Sequence, residues 1–535
     1  MKRIFEEHTT VYFRIYYLLL ILMVISLPLS KALASIVPGV LMFNWIVERK
    51  FVEKFNLLRQ RKGLMLLISI YFIYLLGLLW TSSLEWGMVD VTIQLPLFVL
   101  PLVIGTSPGL NYRQVKRIIY FFAAAVVVAS LCSVWVLLGL SGFKIRDPRE
   151  MSIFISHIRF SLLINIAIFS LGWYVSNSEE KRLQEKLLLI FTIVWLSIFL
   201  VILKSVTGWA VFFLVSLVVV FRYILRVKKL SLKLSLFACL FTFSLAPVVY
   251  TLHIVRQFYS VEKISANITQ EKTRLGNRYS EDLHNKELEN GHYIYLYINE
   301  DELRDAWNKR SKFNYDSIYA SGFNRFVLIR YLTSKGYRKD AEGAEKLSDT
   351  DISNIENGMT NYRFADSYSF YKRIYQINWE IDSYLKGGNP SGHSVTQRLE
   401  YYKMALAIIG KEPWFGHGTG GYYLAYQEEY NKNKFFPPGI YRQRSHNMIL
   451  SYLIDFGLIG AIYICFALVV PVFIENKRKS ALLIIFLLIV FISFINEDSL
   501  NNHDAISFFA FFYPLYLYSD YEKPEAPLNL PEGKL

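Results

Sequence analysis

Long apolar blocks alternate with short polar stretches along most of this chain, and the alternation lapses only between residues 253 and 446. Each block is close to the length, about 20 residues, at which a helix crosses a hydrocarbon core. The pattern therefore predicts an all-α fold, a polytopic membrane helix bundle of about 12 transmembrane helices. The expected segments are Tyr12–Leu29, Ala32–Val47, Gly63–Trp80, Val91–Ile104, Ile118–Leu140, Phe160–Val175, Leu187–Leu203, Thr207–Leu225, Leu232–Leu252, Met448–Ile474, Ser480–Ile495 and Ala505–Tyr518. The fourth lies in IQLPLFVLPLVIG, which is short and carries Pro96 and Pro101. A broken or bundle-buried helix is expected there, because proline frees backbone groups that a neighbour must satisfy.

The 253–446 interval is too long for a simple loop. Helix-like stretches (INEDELRDAWNKRS, GFNRFVLIRYLTSKG, YRKDAEGAEKL, YKRIYQINWEIDSYL) alternate with breaks at Gly322, Gly336, Gly358 and GGNPSGH. DTDISNIENG reads as a capped short helix ended by Gly358. RLEYYKMALAIIG follows as an amphipathic helix, then the turn KEPWFGHGTGG. The expected organisation is a bundle over 1–252, a helical insertion over 253–397, an amphipathic helix and loop over 398–446, C-terminal helices over 447–520 and a tail over 521–535.

Charge orients the bundle. The basic connections ERKFVEKFNLLRQRKG, NYRQVKR, EEKRLQEK, RYILRVKKLSLK and ENKRK all fall on one side. The short loops of the other side hold only Lys31, then Lys144, Arg146, Arg149 and Arg159, then Lys204. By the positive-inside rule both termini are cytoplasmic and the long interval lies outside. The net charge of +14 is then explained by topology and anionic lipid, so nucleic acid is not expected as a partner. No cleavable signal peptide is evident after MKRIFEEH. Cys132, Cys239 and Cys465 sit inside apolar blocks and read as small hydrophobes rather than disulfides or metal ligands.

This topology gathers polar residues at the outer ends of the helices. They are His157 and Arg159, Lys204 with Ser205 and Thr207, Arg398, then Arg442, Arg444, His446 and Asn447, and finally Glu497, Asp498, Asn501, Asn502 and His503. Ionisable groups at such positions are costly and often functional. Cations in an outer cleft suit a lipid diphosphate, whose oxygens guanidinium groups bind in pairs. A neighbouring histidine can act as general base on a hydroxyl, and arginines can stabilise a departing diphosphate without a metal.

The stretch QRLEYYKMALAIIGKEPWFGHGTGGYY, followed by RSHNMILSYLIDFGLIGAIYI, resembles the O-antigen ligase family, which includes ligases and related O-antigen polymerases. The resemblance rests on Arg398, on Pro413, Gly416 and Gly418 in the turn, on His446-Asn447, and on Gly457 and Gly460 in the following helix. It is close over 398–470 and looser over the bundle. It implies a GT-C-like membrane glycosyltransferase with a large, mostly helical periplasmic domain between helices 9 and 10, in the bacterial inner membrane. Such enzymes move a glycan from undecaprenyl diphosphate to an acceptor hydroxyl, on lipid A–core or another surface molecule, with no metal or other cofactor. Carried over, Arg398 grips the diphosphate and His446 activates the acceptor. Arg444, Arg442, Asn447, His157, Arg159 and Lys204 are the further substrate-binding candidates. One position departs from the family pattern. Val206, in Ser205-Val206-Thr207-Gly208, stands where many members carry a second arginine, leaving Lys204, Arg159 or Arg444 to replace it.

Each candidate has a plainer reading. His446 could cap a helix, Arg398 could be a solvated charge, and Arg442 and Arg444 could bind headgroups. His157 and Arg159 could anchor a helix, and Lys204 could snorkel. Glu497 and Asp498 fit a polar loop, and His417 fits a structural role in its turn. A zinc site is disfavoured because no HExxH or close-spaced ligand pair appears. Aromatic residues of 253–446 could stack on sugars, pack the domain or mark the interface. Ligase and polymerase share these motifs. A lipid-linked oligosaccharide transporter is the rival of a different class, but no internal repeat supports it.

Overall fold

The computed structural model describes residues 2–143, 145, 148–177, 183–264, 270–282, 284–285, 287–365, 370–433, 435–436 and 442–521. Lys144, Arg146, part of EEKRLQEK and nearly all of the 521–535 tail lie outside them. The first half runs α1 (Lys2–Leu29), α2 (Lys31–Val47), α3 (Phe51–Gln60), α4 (Lys62–Leu76), α5 (Leu84–Gln94), α6 (Pro96–Thr106), α7 (Tyr112–Leu137), α8 (His157–Asn177), α9 (Leu183–Ile202), α10 (Val206–Arg226) and α11 (Leu230–Tyr259). A two-residue pairing of β1 (Leu288–Glu289) with β2 (His292–Tyr293) follows. Then come α12 (Glu300–Arg310), α13 (Arg325–Ser334), α14 (Ala341–Glu345), α15 (Asp349–Glu356) and α16 (Phe370–Leu385). The chain ends with α17 (Ser394–Lys411), α18 (Tyr422–Lys432), α19 (Met448–Ile474), α20 (Ala481–Asn496) and α21 (His503–Tyr518).

Among the described residues, nine spans are long and apolar enough to cross a membrane, or ten if α2 and α3, bent by 114°, count as one. The two remaining apolar segments form α20 and α21, of 16 residues each. The chain is thus an all-α polytopic membrane protein. The expected break in the fourth segment is present, since α5 and α6 meet at Leu95. Pro96 has no N–H to continue the ladder, and Leu95 bonds back to Thr92 O at 3.3 Å. Gln94, 2 % exposed, donates to Leu500 O at 2.8 Å and ties the break to the α20–α21 connection.

The chain divides into two compact units, Met1–Tyr223 with Arg398–Leu535, and Ile224–Gln397. In the first, α1 packs on α2 and α7, α4 on α19, α8 on α9, and α21 on α6. Every residue of α21 from Ala505 to Leu517 is buried, as expected of a helix apolar on all sides at a bundle centre. Its aromatic rings close around Phe486 of α20, with Phe508 and Phe509 at 5.7 and 5.9 Å.

The second unit includes α11 and has its own core. There Trp307 stacks on Phe323 at 5.3 Å, and Tyr315 and Tyr331 are buried beside them. The expected capped helix is α15, whose Ser348 and Asp351 form a capping box. Arg330 donates twice to Glu289, at 2.9 and 2.6 Å, so the charge of this buried acid is met within the unit.

Candidate functional site

The turn and the glycine helix that carry the sequence motif are two halves of one joint. At Gly457 φ is 61° and ψ is −167°, which interrupts α19. The interruption frees the carbonyls of Ile454 and Asp455, and the N–H groups of Leu458 and Ile459. His417 and Gly418 donate to those carbonyls at 2.8 Å each, while Leu458 and Ile459 donate to Pro413 O and Trp414 O at 2.8 and 3.3 Å. A broken helix is tolerable in a membrane span only when its backbone groups find partners like these. A side chain at Gly457 would meet the Trp414 backbone, and one at Gly416 would come within 2.5 Å of Gly457 N. Thr419 N then donates to Gly77 O at 3.1 Å, which fastens the turn to the end of α4. His417 lies 3.3 Å from Ile408 O through Nε2, a link from the turn to α17.

Beyond the turn, α18 places Tyr422, Tyr426 and Tyr430 on one face, four residues apart. This ladder holds the segment leading into α19. The Tyr430 hydroxyl accepts from Gln443 N at 2.7 Å, and the Tyr426 hydroxyl accepts from Ser445 N at 3.1 Å. The Tyr422 ring lies under Arg444, whose Cζ is 3.6 Å from its centroid. Burial pushes the Tyr426 hydroxyl up to about 12, so it remains a neutral donor and acceptor.

His446 follows with φ at 50°, a left-handed conformation uncommon for a residue with a Cβ. Its ring lies beside the α20–α21 connection. Nδ1 is 3.8 Å from Asp498 Oδ1, and Nε2 is 2.8 Å from the Gln443 side-chain amide. At 3.8 Å the first is an ion-pair approach rather than a formed hydrogen bond, and Nδ1 has no bonded partner. Burial raises the Asp498 carboxyl, but His446 and Arg444 outweigh it and hold the group below its ordinary value. Glu497 moves the other way. Burial and the neighbouring Asp498 raise it, against the charges of His446, Arg398 and Arg159.

Three sequence candidates from distant segments, Arg159, Arg398 and His446, thus act electrostatically on Glu497, and a ring nitrogen of His446 lies within 4.8 Å of its carboxylate. Arg159 is also paired with Asp504 at 3.4 Å. Arg444 lies among Asp90, Asp455 and Asp498. Burial works against its charge, but Tyr422 and these acids hold it above its usual value. Arg442 is engaged in the loop, donating to Phe436 O at 3.2 Å and Asn431 Oδ1 at 3.0 Å. Asn447 caps α19 by accepting from Leu450 N at 3.0 Å, and donates to Ile495 O at 3.1 Å. His157 opens α8 and Lys204 is exposed between α9 and α10. Neither lines the cavity described next. Val206 is 63 % exposed, and Ser205 Oγ donates to Ser161 Oγ at 3.1 Å.

A cavity of about 520 Å³ opens in front of His446, Arg444 and Asp498, walled by Trp86 and the tyrosine ladder. Trp86 stacks on Tyr423 at 4.1 Å. Asp90 acts on the charge of Arg444, and Gly87 packs against Thr419 and Gly420, which brings α5 to the same wall. Asp90 and Asp455 were not among the sequence candidates, and the tyrosines figured there only among the aromatic residues of 253–446. The tyrosine spacing on α18 was a readable signal, whereas nothing local linked Asp90 to Arg444. His446, Glu497 and Asp498 also offer ligand atoms within 4.8 Å of one another, a donor set suited to a divalent cation. The cations acting on Glu497 supply neutralising charge to the same carboxylates.

These elements lie largely within a recognised sequence domain. The O-antigen ligase family model matches residues 359–465. The chain is also similar to an uncharacterized protein of Haemophilus influenzae (strain ATCC 51907 / DSM 11121 / KW20 / Rd), 26 % identical over 136 residues. That alignment covers 25 % of this chain and 34 % of the relative, so the chain spans about a third of that protein's length. The match over 359–465, on a polytopic all-α membrane protein, supports this chain as an O-antigen ligase family member.

Proposed function

We propose that the protein is a membrane glycosyltransferase of the O-antigen ligase type, acting at the extracytoplasmic face of the bacterial inner membrane with both termini in the cytoplasm. It moves a glycan from undecaprenyl diphosphate to an acceptor hydroxyl, on lipid A–core or another surface molecule. The observation that carries this reading is His446 at the mouth of the aromatic cavity, with Asp498 behind one ring nitrogen and Arg398 acting on the adjoining Glu497.

In this mechanism Nδ1–H turns toward Asp498, which leaves the Nε2 lone pair for the acceptor. The acceptor hydroxyl displaces the exposed Gln443 amide and gives its proton to Nε2 as its oxygen attacks the anomeric carbon. The bond from that carbon to the diphosphate oxygen breaks, and undecaprenyl diphosphate leaves with the electron pair. Arg398 stabilises the charge that develops on the leaving group. Lys204, Arg159 and Arg444 are the candidates to assist where the family arginine is replaced by Val206, and no metal is required.

The test is complementation of a deletion strain with His446→Ala and Arg398→Ala, with membrane abundance checked by immunoblot. Loss of surface glycan attachment at normal abundance is expected, and normal attachment by either variant sinks the mechanism. A polymerase of the same family is the second reading, because the same chemistry extends a lipid-linked chain. Loss of a ligase leaves long lipid-linked chains unattached, whereas loss of a polymerase leaves single repeats attached. The transporter reading requires the purified protein alone to move donor into liposomes.

A further inference from the structure

Within the Ile224–Gln397 unit, a cavity of about 630 Å³ lies between the end of α11, the segment around Asn285–Ile294, and α16. Its size is in the roughly 300–1,000 Å³ range of small-ligand sites. Trp379 of α16 and Tyr259 of α11 line it with 44 % and 52 % of their surfaces exposed. Tyr375 forms a fixed floor. It is 4 % exposed, its ring is 5.0 Å from Phe258, and its hydroxyl accepts from Asn290 N at 3.2 Å.

The polar lining narrows the ligand class. Arg330 is spent on Glu289, and Lys386 is paired with Asp382 at 2.6 Å, so both cations among the described lining residues already have carboxylate partners. Glu287 would repel an anion. A purely apolar ligand would strip water from these carboxylates and return no hydrogen bond. A neutral sugar meets both demands. Its C–H face packs on an open aromatic ring, and its hydroxyls donate to carboxylate and amide oxygens.

We propose that this cavity is a binding subsite for neutral glycan, with Trp379 as the stacking platform and Glu287 and Asp382 as hydroxyl acceptors. The inference rests on the glycan-transfer reading, for which a sugar-holding subsite outside the reacting centre adds binding energy without changing the chemistry.

The experiment uses the full-length protein in lipid nanodiscs, with maltotriose, mannotriose and N,N′-diacetylchitobiose as probes in saturation-transfer NMR. At least one probe is expected to receive transfer, strongest at its ring C–H protons. Trp379→Ala should weaken that binding by at least about tenfold, Trp379→Tyr should retain most of it, and His446→Ala should leave it unchanged. No transfer above empty nanodiscs for any probe overturns the proposal, as does equal binding by Trp379→Ala. Transfer from lipid acyl chains to the Trp379 ring in place of sugar also overturns it. Failure of the transferase reading shows separately, as full glycan attachment in cells carrying His446→Ala.

Discussion

Asp498 stands behind His446, with Oδ1 3.8 Å from Nδ1, on the opposite side of the ring from Gln443. The backbone at His446 is left-handed, with φ at 50°, and its ring lies between Gln443 and Asp498 of the α20–α21 connection. In the proposed mechanism, closing that 3.8 Å gap moves the ring proton to Nδ1 and leaves Nε2 basic, in place of the Nε2–H that Gln443 Oε1 accepts here. Asp498→Asn is expected to preserve abundance and to lower glycan transfer by about 10²-fold or more, the scale of general-base catalysis. Transfer rates measured with purified protein and lipid-linked donor decide this, and an unchanged rate removes Asp498 from the mechanism.

The charge of Arg398 helps to lower the Glu497 carboxyl, and among the described residues no salt bridge holds Arg398. Arg398→Lys keeps the charge but loses the planar fork suited to two phosphate oxygens. It is expected to retain part of the activity that Arg398→Ala loses. Equal activity of the two variants would show that only packing was being measured.

Gly457 is the hinge of the joint between the 413–418 turn and α19. Gly457→Ala places a Cβ against the Trp414 backbone at a φ of 61°. The combined strain and lost bonds should cost on the order of 2–4 kcal/mol. Thermal melts in detergent should show a lower transition, and Gly39→Ala serves as the control because open space surrounds that position.

Tyr430→Phe removes the hydroxyl that accepts from Gln443 N. The expected cost is about 1 kcal/mol, read as faster amide exchange at Gln443 and Ser445 with α18 itself still protected. Unchanged exchange there would mean that the ladder does not hold the segment.

In the second unit, Asp351 gives a pH prediction. Burial alone would raise its carboxyl, but bonds from Lys335, Tyr331 and Ser348 outweigh it and lower the group to about 2. A depressed native value means that the stabilisation is present above the unfolded value near 3.9 and is lost as pH falls toward 2. Asp351→Asn should therefore destabilise the unit by about 2 kcal/mol at neutral pH, and the gap from wild type should narrow from about pH 4 and close only below about pH 2. A gap that persists in acid assigns the effect to packing.

The apolar segments, the interruption over 253–446, the α15 cap and the turn–helix motif were all legible in the sequence. Each is written in residues a few positions apart: blocks of hydrocarbon length, a serine three residues before an aspartate, glycines at short spacing. Even the break near Pro96 followed from the chemistry of one residue. Legibility ended where partners are distant along the chain. Glu497 and Asp498 fitted a polar loop until α20 and α21 placed them beside His446 and Arg398. Asp90 and Arg444 share a wall because α5 packs beneath the turn that α19 holds. Local periodicity determined which segments became helices. Only tertiary packing decided which charges met, because that depends on how broken helices recover their backbone bonds from one another.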